Sequence, residues 1–65
     1  MTVKDAIRLA YDTNDYALAG RIVDSMRYSA GMNYREIQAT FEKCEPGFDD
    51  STFEDWMQEL EARGL

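Results

Sequence analysis

Three interruptions decide what this sequence can fold into. The run Asp12-Thr13-Asn14-Asp15, then Gly31, then Glu45-Pro46-Gly47 cut it into segments whose apolar residues recur every three or four positions, and nothing alternates for the length of a strand. That pattern leaves helices packed on helices. Thr2 and Asp5 have capping-box-like spacing, and Val3, Ala6, Ile7, Ala10 and Tyr11 fall at i, i+3, i+4, i+7 and i+8, which predicts a helix over roughly residues 3–12. The short polar side chains of residues 12–15 compete for backbone hydrogen bonds, so they favour a turn and a fresh N-cap. A second helix is expected from about Asp15 to Ala30, with Leu18, Ile22 and Met26 in one row and Ala19, Val23 and Ala30 beside it. Gly31 is placed to end it.

The third helix has the clearest start. Asn33 caps, Glu36 lies at N3 to reach back, and Met32 is positioned to staple onto Ile37. Tyr34, Ile37 and Phe41 form its stripe, and Glu45-Pro46-Gly47 stops it. A last helix begins at Asp50 or Ser51, where Ser51 and Glu54 have capping-box spacing. It carries Phe53, Trp56, Met57 and Leu60 as its stripe and ends at Gly64. The expected fold is all-α: one acidic domain over residues 1–65, a small bundle of three to four short helices.

Sixty-five residues bury only about 60% of the surface the unfolded chain exposes, so stability should be modest. There is no His, and Cys44 is alone, which leaves neither a disulfide nor a zinc pattern; a single thiol fits a reducing cytoplasm. The first twenty residues carry Lys4, Asp5, Arg8, Asp12 and Asp15 and read as no secretory signal, and no apolar run approaches membrane-spanning length. Charge is unevenly divided. Residues 1–35 carry a net +1 and residues 36–65 a net −7.

The stretch Gly31-Met32-Asn33-Tyr34-Arg35-Glu36-Ile37, the turn Glu45-Pro46-Gly47-Phe48-Asp49-Asp50 and the ending Leu60-Glu61-Ala62-Arg63-Gly64-Leu65 resemble stations of the three-helix core of winged-helix and helix-turn-helix proteins. The resemblance covers residues 22–65. It implies a tri-helical shape without a wing, since the family pattern continues past the position of Leu65 into a strand and a wing. It also implies a recognition helix, and here the chain departs from the family. The last helix offers Glu54, Asp55, Glu59 and Glu61 with only Arg63 in reply, whereas readers of bases and phosphates need Arg, Lys, Asn or Gln. Nucleic acid is therefore disfavoured as a partner.

No catalytic, cofactor or metal site is expected. Without His there is no evident base for Cys44 or a serine, and no Gly-rich phosphate loop or nucleophile elbow is present. Asp49/Asp50 and Glu54/Asp55 read as acids placed at a helix start, where the macrodipole favours them, and neither acidic run continues as a calcium loop. Cys44, at a helix end, reads as an ordinary packed or half-exposed thiol. Arg21 and Arg27 flank Asp24 at three-residue spacing and are expected to pair with it, while Arg35 adjoins Glu36. Tyr11, Tyr16, Tyr28 and Tyr34 are too many to bury in so small a core. Trp56 belongs to the core stripe but is also of a type enriched at interface centres.

The expected function is non-enzymatic. Glu54, Asp55, Glu59, Glu61 and Trp56 form the candidate partner-binding set of a small acidic regulator or adaptor that docks on a basic surface of a larger protein. The rivals are a DNA-binding regulator presenting Arg21, Arg27 and Arg35, and a homo-oligomeric assembly component, a homodimer included. Short acidic chains of this style look like accessory proteins of bacteria and their phages.

Overall fold

Each interruption ends a helix. The computed structural model describes residues 1–65, in which α1 spans Val3–Thr13, α2 Tyr16–Asp24, α3 Tyr34–Cys44 and α4 Asp50–Arg63, with a π-helical turn Ser25–Ser29 prolonging α2. No strand is present, so the molecule is an all-α bundle.

The caps explain the boundaries. Thr2 Oγ1 accepts from the Asp5 N–H at 3.1 Å and Asp15 Oδ1 from the Leu18 N–H at 3.0 Å. Asn14 ends α1 in the left-handed region at φ 52°, which its short polar side chain tolerates. At α3 both halves of the capping box form: the Glu36 N–H donates to Asn33 Oδ1 at 2.8 Å and the Asn33 N–H to Glu36 Oε1 at 3.0 Å. The cap of α4 differs from expectation. Asp49 caps it, accepting from the Thr52 N–H at 2.8 Å, and Ser51 lies inside the first turn.

The second departure is the π turn. An unbroken α-helix to Ala30 was expected, but after Asp24 the Ala30 N–H reaches back to the Ser25 carbonyl at 3.2 Å, and the Met32 N–H closes onto Met26 O at 2.9 Å after Gly31 turns at φ 67°. The extra residue per turn rotates the helix face. Met26 remains in the core, while Ala30, expected beside it, is exposed and Tyr28 stands 76% exposed.

The helices close a ring, with α1 packed on α2 and α3, and α4 packed on the same two. Every buried side chain is apolar. From α1 and α2 come Ile7, Ala10, Ala19 and Val23; from α3 and α4 come Ile37, Phe41, Phe53, Trp56 and Leu60. Val3, assigned to the first stripe, lies outside this core at 56% exposed.

The centre of the core is a residue with no helical period. Phe48, in the loop between α3 and α4, is fully buried, with its ring 4.9 Å from Tyr11, 5.2 Å from Phe41, 5.0 Å from Trp56 and 6.5 Å from Phe53, all edge to face. Glu45 shapes the turn that delivers it, its carbonyl accepting from the Phe48 N–H at 2.9 Å and its carboxylate from the Gly47 N–H at 3.1 Å. Gly47 is bare for a reason: a Cβ there would run into the Tyr11 ring.

Candidate functional site

An α-helix advances 100° per residue, so Glu54 and Glu61 lie within about 20° of one another, and Asp55 and Glu59 within about 40°, on lines well apart. The four carboxylates that sequence reading grouped as one acidic face therefore occupy two edges of α4, either side of the buried stripe Phe53, Trp56 and Leu60. That separation was available in the spacing itself.

One edge faces the start of α2 and is tied to it. Arg63 Nε donates to Glu59 Oε1 at 2.7 Å, and the guanidinium lies 4.5 Å above the Tyr16 ring, which in turn meets Trp56 at 4.4 Å. Trp56 is a core residue, 8% exposed, so the aromatic of the candidate set packs inward. Asp55 is exposed on this edge.

The other edge borders two adjoining hollows. A groove of about 390 Å³ runs between α2 and α4 over Val23, Met57, Leu60 and Leu65, with Asp24, Arg27 and Glu61 along it. A cleft of about 450 Å³ lies beside it, lined by Tyr34, Arg35, Gln38, Asp50 and Glu54. Tyr34 belongs to both.

Local structure builds the groove. Gly64 turns at φ 73° with its N–H on Glu61 O at 3.1 Å, and the Leu65 N–H closes on Leu60 O at 2.9 Å, a Schellman ending that folds Leu65 back over α4. Gly20, buried on α2, receives it: a Cβ there would stand 3.3 Å from the Leu65 Cβ, so the bare backbone lets the two approach.

Tyr34 was assigned to the core stripe of the third helix. The structure places it in the lining of both hollows, 48% exposed, its ring packed edge to face with Phe53 at 5.4 Å between centroids. Its phenol is held above the usual tyrosine range, first by desolvation and then by the Glu54 and Asp50 carboxylates. Asp49, by contrast, is held below the usual carboxylate range, chiefly by the backbone N–H of Thr52 that it caps.

The predicted pairing of Arg21 and Arg27 with Asp24 does not form; Glu59–Arg63 is the ion pair of this molecule. The π turn begins immediately after Asp24 and takes Arg27 off the i+3 line. Exposed pairs gain too little to form wherever spacing allows them. Asp24, Asp50, Glu54, Asp55 and Glu61 are thus free of cationic partners. Cys44, half-buried at the end of α3, is a free thiol. No group of three or more acids, His or Cys converges as for a metal ion, and no helix is long and apolar enough to cross a membrane. No protein-family model matches the chain, and no curated protein or solved structure matches it.

Proposed function

We propose that the protein is a non-enzymatic interaction module, a small acidic regulator or adaptor that docks on a basic surface of a larger protein in a reducing cytoplasm. The observation that carries this reading is the state of the α4 acids: Glu54, Asp55 and Glu61 are exposed and form no ion pair, and only Glu59 is paired. Unpaired surface charge of one sign is retained at a cost in self-repulsion, and it speeds encounter with a surface of opposite sign. In this reading the likeness of residues 22–65 to a helix-turn-helix core is one of shape, put to protein binding. Phosphates would meet the same carboxylates as repulsion.

The test is kinetic. A partner captured from the native host should associate more slowly, and with a flatter salt dependence, when Glu54, Asp55 and Glu61 are changed to Lys, because exposed charge acts mainly on the association rate. An unaltered rate would end the proposal, as would retardation of duplex DNA by the parent protein near physiological salt.

A further inference from the structure

We propose that the groove between α2 and α4, with the cleft on the far side of Tyr34, binds a basic amphipathic segment of a partner protein. The apolar side chain of that segment sits on the groove floor and its Lys or Arg enters the cleft. The inference rests on the reading above and gives it a place and a partner chemistry.

The two hollows differ in the right way for such an occupant. The groove floor is apolar, built from Val23, Met57, Leu60 and Leu65. Met57 is unbranched and polarisable, so it adapts to an incoming side chain. The cleft is polar, with Asp50 and Glu54 facing Arg35 and Gln38. Tyr34 lines both and offers them a rigid, half-exposed aromatic side chain, a type of contact enriched where proteins meet. An apolar anchor and a cation one helical turn apart would span the ring.

Charge selects among occupants. The rim carries Asp24, Asp50, Glu54 and Glu61 against Arg27 and Arg35, net −2, with no ion pair among them. A neutral or acidic segment would bury these carboxylates unpaired, and a second copy of this chain would bring its own charge of −6. A basic segment pairs them.

The test is an NMR titration of the ¹⁵N-labelled chain of residues 1–65. The probe is a short Lys/Leu peptide with leucines at helical i, i+4 spacing, set beside a scrambled peptide of the same composition. The patterned peptide should shift the amides of Gly20, Val23, Arg27, Tyr34, Met57 and Glu61, and the scrambled one should not. Changing Glu54 and Glu61 together to Lys should weaken binding about tenfold or more, and to Gln by less, whereas Asp55→Lys on the opposite edge should change it by less than about twofold. Equal binding of both peptides, with shifts along both edges of α4, would overturn the groove and leave the acidic docking module standing. Binding of neither would overturn the groove, while the kinetic test with the native partner would still decide the module. Groove shifts that grow with protein concentration and no peptide would also overturn it, in favour of a second copy.

Discussion

The two halves of this bundle are held by different materials. On α1 and α2 the buried residues are Ile7, Ala10, Ala19, Gly20 and Val23, all aliphatic or bare and most of them small. Where α3, its following loop and α4 meet, the filling is aromatic: Phe41, Phe48, Phe53 and Trp56 interlock edge to face, with Tyr11 reaching in from α1. Aromatic side chains bury far more area each than alanine or valine. The stability of this small domain is therefore concentrated in the half that also carries all of its excess negative charge. That pairing teaches how a surface so acidic is afforded without loss of the fold: repulsion acts between exposed, solvent-screened groups, while the rings beneath are dry.

The largest expected effect compares truncations across the two halves. Phe48→Ala should destabilise by about 3–5 kcal/mol, enough to unfold much of a domain whose total is of similar size, whereas Ile7→Val should lose about 0.5–1.5 kcal/mol. Urea unfolding followed by circular dichroism measures both. A Phe48→Ala loss no larger than that of Ile7→Val would remove Phe48 from the centre of the core.

Next comes the join between them. Gly47→Ala should destabilise by about 1–3 kcal/mol, because the new methyl meets the Tyr11 ring and must displace it from its packing on Phe48. Tyr11→Ala in the same background should recover part of that loss, and a lack of coupling in this double-mutant cycle would show that the clash is relieved elsewhere.

The smallest effect sharpens the electrostatic side of the comparison. Because the Tyr34 phenol is raised in the folded state, the contribution of its neutral form is fully present below the ordinary tyrosine pKa and is lost as pH rises through the raised value. An NMR titration of the Tyr34 ring should place its ionisation above the usual range. In Glu54→Gln it should move down toward that range without reaching it, since desolvation, the larger cause, remains. No movement would remove Glu54 from the environment of Tyr34.

Particular residues show how much was legible. Asn33 with Glu36, Thr2 ahead of Asp5 and Gly64 after Arg63 are local signals within a turn, and each acts as its spacing indicates. Ile37, Phe41, Phe53 and Leu60 are buried as their periodicity requires. Phe48 escaped notice because a single apolar residue in a loop has no period to betray it. The π turn escaped because Ser25–Ser29 has ordinary helix-compatible residues, and nothing local marks the wider ring. In the candidate set, Glu54 and Glu61 border the two hollows, Glu59 is held by Arg63, and Trp56 points into the core.

The sequence by itself determined where the four α-helices lie, the caps of the first three and the charge of the last, because those depend on neighbours three or four residues away. Tertiary structure alone decided that α4 lies against α2, that Leu65 folds onto Gly20 and that Tyr34 stands between an apolar groove and an acidic cleft. Those contacts join residues far apart in the chain, and they exist only once Phe48 and the rings around it have fixed how the helices cross.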